Sequence, residues 1–269
     1  MALRASLPMY DLPEVREWTG NLWTAIAGEL RAGGVSGVPD ALERPSGHHD
    51  AWRPDGLLFS QSCGYPVATA LRGLVRVVAT PHYAAPGCEG PRYSSVVVVR
   101  EASRVAALDE LRRAVCAFNS RDSQSGYNTL RAAIAPIARG GRFFTRTVET
   151  GAHAASIAAV RDGRADVCAV DCVTWALLAR YRPAALAGLE VIRYTEPTPG
   201  LPFVTARDCS AATVESIRDA LGRAFVRPDL AETREALLIR GLSLLSGDEY
   251  EPLLAMERAS AAFGYPDLE

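Results

Sequence analysis

The chain has 269 residues, is 48% apolar and carries a formal net charge of -2, enough for two compact α/β lobes or one large domain with a sizeable core. The near-neutral balance offers no electrostatic grip on nucleic acid or an anionic membrane, so neither is expected as a partner. All 29 basic residues are arginine, which excludes a Schiff-base lysine and a P-loop lysine.

Ala2–Leu7 reads as a first strand, and Pro13–Leu30 as a helix with Val15, Trp18, Leu22 and Ile26 on one face, closed by Gly33-Gly34. Residues 39–54 have no clear period, and the adjacent His48 and His49 read as loop residues rather than metal ligands. Gly56–Phe59 is a short strand running into Ser60-Gln61-Ser62-Cys63-Gly64-Tyr65-Pro66, with a short helix at Val67–Arg72 and a strand at Val75–Thr80. Tyr93–Arg100, uninterrupted and β-branched, is the strongest strand signal.

From there strand and helix alternate. A helix is expected at Ala107–Arg113, a strand at Val115–Asn119 and a helix after Ser123, where Tyr127, Leu130, Ile134 and Ala138 recur at helical spacing. Strands follow at Arg142–Glu149 and Asp166–Val170, and helices at His153–Arg161 and Asp171–Arg180. Leu189–Thr195 is a strand, Thr198–Thr205 is extended, and helices are expected near Ala211–Phe225, Asp229–Arg240 and Asp248–Phe263. This order argues for α/β lobes, each a mostly parallel sheet flanked by helices, with two crossover strands. The expected division is a discontinuous lobe 1 (1–97 and 200–269) and a lobe 2 (98–199), with a ligand cleft between them.

No apolar run approaches the roughly 18 residues needed to span a bilayer, so no direct membrane insertion is expected. The N-terminus has neither a basic n-region nor a long apolar h-region. As written the chain is expected in the cytoplasm, and in the periplasm where an upstream signal has been removed. The six cysteines match no zinc or redox spacing. Cys116 and Cys168 lie in apolar strands, whereas Cys63 and Cys88 sit in glycine-containing loops and can form a disulfide, face a ligand, or do neither. No cofactor and no metal is expected.

The densest polar stretch is Ser123-Gln124-Ser125-Gly126-Tyr127-Asn128, at a strand-to-helix junction. First-turn N–H groups have no intrahelical partner and the helix dipole favours negative charge, so this is a candidate anion site; plain N-capping by Asp122 or Ser123 is the competing reading. His153 opens the next helix, and Asp171 is either an N-cap or a ligand acceptor. Cys63, His153 and Asp171 contain the residue types of a nucleophile, base and orienter, but nothing in the sequence brings them together, and no catalytic residue is assigned.

Ser60-Gln61-Ser62-Cys63-Gly64-Tyr65-Pro66, Thr80-Pro81-x-Tyr83, Gly87-Cys88-x-Gly90-x-x-Tyr93-x-Ser95, Ser123-x-Ser125-Gly126, Gly151-x-His153-x-x-Ser156 and Ala165-Asp166 occur in an order that resembles the phosphate/phosphite/phosphonate-binding proteins of ABC transporters. These are PhnD-like members of the type II periplasmic binding fold. The resemblance spans residues 3–205 and implies a two-lobed solute-binding protein that closes on a small oxyanion, with an ABC transporter permease as partner. It implies that Ser123, Gln124 and Ser125 grip the anion and that His153 contacts it. Tyr10, Tyr65 and Tyr93 would close over the ligand, with Gln61 and Ser62 in the first-lobe loop and Asp171 orienting an amine or protonated oxygen. The same fold also serves biosynthetic enzymes, so a cytoplasmic enzyme acting on a small organic acid, or a ligand sensor, is the alternative.

Overall fold

The structure, a computed structural model, describes residues 2–139 and 141–269. The chain begins with β1 (Arg4–Ala5), α1 (Arg16–Ala32), α2 (His48–Ala51), β2 (Leu57–Gln61), α3 (Gly64–Ala68) and β3 (Val75–Tyr83). It continues through β4 (Cys88–Glu89), β5 (Arg92–Tyr93), β6 (Ser95–Arg100), β7 (Val115–Phe118), α4 (Thr129–Ala138) and β8 (Arg146–Glu149). Next come α5 (His153–Arg161), β9 (Val167–Asp171), α6 (Cys172–Tyr181), β10 (Leu189–Tyr194), β11 (Thr198–Pro199) and β12 (Phe203–Ala206). The last elements are α7 (Ala211–Val226), α8 (Ala231–Ala236), β13 (Ile239–Ser243) and α9 (Glu251–Ala262).

Two compact units result. Unit 1 holds residues up to Ala84 together with Pro199–Tyr250, and unit 2 holds Ala85–Thr198 with Glu251–Glu269. The sheet of unit 1 has the order β1-β2-β12-β3-β13, with β12 antiparallel to both β2 and β3. The sheet of unit 2 has the order β10-β6-β9-β7-β8, with β7 parallel to β8 and β9, and β6 antiparallel to both of its neighbours. In unit 2 every strand of this sheet except β6 therefore runs the same way, as the β-α alternation requires.

The core of unit 1 is built on Phe59, which stacks on Trp23 of α1 at 5.7 Å and meets Phe203 of β12 at 4.9 Å. Leu22, Ile26 and Leu30 of α1 and Val214, Ile217 and Leu221 of α7 are buried, the helical periodicity seen in the sequence. In unit 2, Val96–Val99 of β6 are all fully buried, which explains why that run shows no alternation: both faces of the strand are covered. Phe118, Tyr127, Leu130, Ile134, Tyr265 and Leu268 share one cluster with Val97 and Val99.

Several local expectations change. The β-branched run is two strands, β5 and β6, which lie in different sheets. The expected helix at 107–113 is a single tight turn, Leu108–Leu111, and the short helix after β2 begins earlier, at Gly64. The strand at 142–149 narrows to β8, with Phe143 and Phe144 donating backbone hydrogen bonds to the Glu269 carbonyl instead. Residues 229–240 split into α8 and the start of β13, because Ile239, Leu242 and their neighbours pair with β3. Tertiary pairing overrides helical propensity there. Residues 85–97 and 251–269, which the sequence reading placed in lobe 1, belong to unit 2. Asn128 Nδ2 donates to the Leu253 carbonyl of α9 at 3.1 Å, and Tyr127 Oη accepts from the Leu268 amide at 3.1 Å, fixing the C-terminal segment onto α4. His48 and His49 flank Trp52 at 5.8 and 5.6 Å, a packing role.

Tyr250 closes unit 1. Its hydroxyl is 2.8 Å from Thr80 Oγ1 and donates to the Gly200 carbonyl at 2.9 Å. Burial pushes the phenol well above its ordinary value near 10. The folded state thus holds a proton that the unfolded chain releases, so this contribution to stability is complete below pH 10 and is lost as pH rises above it. Tyr250→Phe is expected to lower the unfolding free energy at pH 7 by about 1–2 kcal/mol in urea titrations. It should also flatten the loss of stability with alkaline pH.

Candidate functional site

In unit 2, β7 ends at Phe118 and the chain turns through Asn119–Asp122 into a turn of π-helix, Gln124–Asn128, that continues as α4. Ser123 is its N-cap: extended backbone, with Oγ accepting from the Gly126 amide at 3.0 Å. The Asn128 amide donates to the Ser123 carbonyl at 3.0 Å, closing the wide ring. Such single π turns inside helices occur frequently at functional sites.

Gly126 sits directly against Asn119. A Cβ there would lie 1.8 Å from Asn119 Oδ1 and 3.2 Å from His153 Cε1, so a larger residue requires the Asn119 side chain to shift. On the neighbouring strand connection, Gly151 (φ +85) turns the chain into α5, and His153 is the first residue of that helix. Thr150 holds the turn, its hydroxyl donating to the Phe118 carbonyl at 3.0 Å and meeting Ser156 Oγ at 2.7 Å. The two helix starts are joined directly, Ser125 Oγ to His153 Nε2 at 2.9 Å.

A second chain of hydroxyls supports this pair from below. Ser95 Oγ is 2.9 Å from Thr129 Oγ1, which donates to the Ser125 carbonyl at 3.0 Å. Beside the pair, Asn119 Oδ1 is buried and accepts no hydrogen bond among the described residues. Arg121 is turned away, to Tyr127 Oη at 3.2 Å and Asp267 Oδ1 at 3.1 Å.

Ser125 and His153 are therefore bonded directly, and Ser123 caps the turn that carries Ser125. Gln124 is placed differently: its Oε1 accepts from Asn128 Nδ2 at 2.8 Å and its Nε2 lies 3.5 Å from Met256 Sδ, so the side chain is engaged in packing α9. Asp171 ends β9 and caps α6, Oδ1 accepting from the Val173 and Thr174 amides at 2.7 and 3.0 Å. Tyr93 is buried at the end of β5. In unit 1, Gln61 Nε2 donates to Tyr83 Oη at 3.0 Å and to the Leu201 carbonyl at 3.2 Å, and Tyr10 meets Tyr83 edge-on at 5.0 Å. Ser62 Oγ donates to the Cys63 carbonyl at 3.1 Å, and the buried Tyr65 lies in α3.

Cys63 belongs to unit 1 and His153 and Asp171 to unit 2, with Asp171 engaged in capping and His153 bonded to Ser125. All six cysteines are free thiols, Cys63 and Cys88 included. Among the described residues no group of three or more His, Cys, Asp or Glu is arranged to hold a metal ion. No helix among them is long and apolar enough to cross a membrane.

Asn119 and the pair Ser95–Thr129 are absent from the residues singled out as ligand-binding by sequence. Asn119 carried one visible signal, a polar side chain at the C-terminal end of a strand, where open α/β sheets bind ligands. Gly126→Ala is expected to destabilise the protein by about 1–3 kcal/mol in urea, through overlap with Asn119. Adding Asn119→Ala should recover part of that loss, because the obstructing carboxamide is gone.

A family model for ABC-transporter phosphonate periplasmic substrate-binding proteins matches residues 56–250. No curated protein matches the chain. Among solved structures, a binding protein component of an ABC phosphonate transporter (PA3383) from Pseudomonas aeruginosa superposes with a TM-score of 0.77 at 16% identity, covering 97% of this chain and 87% of that one. PhnD1 from Prochlorococcus marinus, in complex with methylphosphonate, gives 0.73 at 16% identity over 96% and 97%. XAC2383 from Xanthomonas citri, bound to chloride ion, gives 0.73 at 15% identity over 97% and 98%. The fold is thus that of the type II periplasmic binding proteins, and the family match, which covers most of the chain, adds its class of function. The chain belongs to the phosphonate periplasmic substrate-binding proteins of ABC transporters, a family of solute-binding proteins.

Proposed function

We propose that this protein captures a phosphorus oxyanion of the phosphonate, phosphite or phosphate class at the Ser123–Gly126 turn and His153. The observation that carries this reading is the direct Ser125–His153 hydrogen bond at 2.9 Å, which joins the starts of two helices. Hydroxyls, an imidazole and first-turn amides bind an oxyanion by directional hydrogen bonds without needing a lysine. Asn119 Oδ1 adds a buried acceptor beside them. Leaving such an atom unpaired costs about 1–3 kcal/mol, and a protonated oxygen of the ligand would satisfy it. Tyr93 and Asp171 of unit 2, and Tyr10, Gln61, Ser62 and Tyr65 of unit 1, are proposed as further contacts, each open to single substitution. Family membership supports a working place outside the cytoplasmic membrane, with an ABC transporter permease as the partner receiving the ligand.

The test is a thermal-shift and calorimetric screen in phosphate-free buffer against methylphosphonate, phosphite, phosphate, sulfate and small carboxylates. A ligand present at a hundred times its dissociation constant stabilises the fold by about 2.7 kcal/mol, and a selective shift with one phosphorus oxyanion is expected. A shift with a carboxylate and none with any phosphorus compound would overturn the assignment and favour an enzyme of small organic acids. For the ligand found, Ser125→Ala is expected to weaken binding by about 5–150-fold, corresponding to ~1–3 kcal/mol for a lost oxyanion contact. Unchanged affinity in calorimetry would remove Ser125 from the site.

A further inference from the structure

Away from the anion turn, unit 2 brings two cysteines together that the sequence keeps far apart. Cys88 lies in β4 and Cys172 opens α6, and their Sγ atoms are 3.5 Å apart. The approach is built into the backbone. The Ser94 amide donates to the Gly87 carbonyl at 2.8 Å, and the Cys172 amide donates to the Ser94 carbonyl at 3.2 Å, so the β4–β5 hairpin is tied to the first residue of α6. Gly87 (φ +93) allows it: a Cβ there would lie 2.8 Å from Tyr194 Cδ1 and 3.4 Å from Cys172 Cβ. A larger residue there would require the Tyr194 ring to shift.

We propose that Cys88 and Cys172 are a disulfide-forming pair, which on oxidation staples the β4–β5 hairpin to the first turn of α6. A disulfide needs its sulfurs about 2.05 Å apart, roughly 1.5 Å closer than here, a distance that side-chain rotation can supply. The two thiols are unequal. Cys88 is half-buried and Cys172 almost wholly buried, so a soluble oxidant meets Cys88 first. Cys172 is held protonated by its hydrogen bond to Cys88, by burial and by the neighbouring charge of Asp171.

With a small-molecule disulfide as oxidant, the Cys88 thiolate attacks one of its sulfurs, breaking that S–S bond and releasing one thiolate. The thiolate takes the Cys172 proton. The Cys172 sulfur then attacks Cys88 Sγ, breaking the mixed disulfide and releasing the second thiolate, which leaves as a thiol after taking the proton lost by Cys88. Two protein thiols are oxidised to one disulfide, and one oxidant disulfide is reduced to two thiols. Cys116 and Cys168 are fully buried in strands and out of an oxidant's reach.

The full chain, reduced and then incubated with oxidised glutathione, is expected to fall from six to four titratable thiols in denaturant. It should lose two hydrogens in intact mass, and non-reducing peptide mapping should recover a fragment linking Cys88 to Cys172. The oxidised form should unfold at least about 4 °C above the reduced form, an advantage abolished by dithiothreitol. Cys88→Ser and, separately, Cys172→Ala should each prevent the linked fragment from forming. Six surviving thiols, a stable glutathione adduct on Cys88, a bond to any other cysteine, or equal Tm in the two states would overturn the pairing. Mapping of the unsubstituted chain decides the question even where a variant folds poorly.

Discussion

Gly126 and the side chain of Asn119 lie so close that a single methyl group could not stand between them. The polar turn of unit 2 depends on that approach. It lets the chain leaving β7 fold back against the first turn of the next helix, and it places the start of that helix beside His153. The wide π ring is closed by Ser123, whose hydroxyl takes the Gly126 amide and whose carbonyl takes the Asn128 amide. A π turn carries an extra residue relative to an α turn, and here that residue lies among Ser123, Ser125 and Asn128 rather than in a loop.

The geometry of the turn is one of directional hydrogen bonds, Ser125 to His153 and Gly126 to Ser123. Arg121 is occupied by Tyr127 and Asp267, and Asp171 by the first amides of α6. Beside them, the helix start presents hydroxyls, the His153 imidazole and backbone amides. Such groups discriminate by direction and count of hydrogen bonds, since each must be matched by a ligand atom at the right angle or be left desolvated. The Ser95–Thr129–Ser125 chain has a supporting function, because it holds the Ser125 carbonyl of the turn.

The β-α rhythm from Val115 to Tyr194 was readable because it rests on local properties. Apolar runs, glycine after strands and caps before helices are all set by neighbours in the chain. His153–Arg161 begins and ends where its pattern says, and the capping reading of Asp171 describes its observed hydrogen bonds. Elements were misread where partners distant in sequence decide. Ile239 and Arg240 fall at the end of the run from Asp229 that reads as helix, yet Ile239–Ser243 lies against β3 as an edge strand. At Gln124, beside the two serines, the side chain also meets Met256 of α9, more than a hundred residues away in sequence.

By itself, then, the sequence determined the α/β class, the strand-to-helix junctions and the serine-rich turn, because each is written in residues within one or two turns of each other. It also carried, in scattered motifs, the likeness to the phosphonate-binding family. Only the tertiary structure decided that Ser125 meets His153, that Asn119 faces a glycine, that the C-terminal helix joins unit 2, and that Cys88 lies against Cys172. The physical reason is common to all four. Each is a contact between segments 7 to 125 or more residues apart, set by how helices and sheets pack, and no local propensity encodes the meeting of two particular side chains.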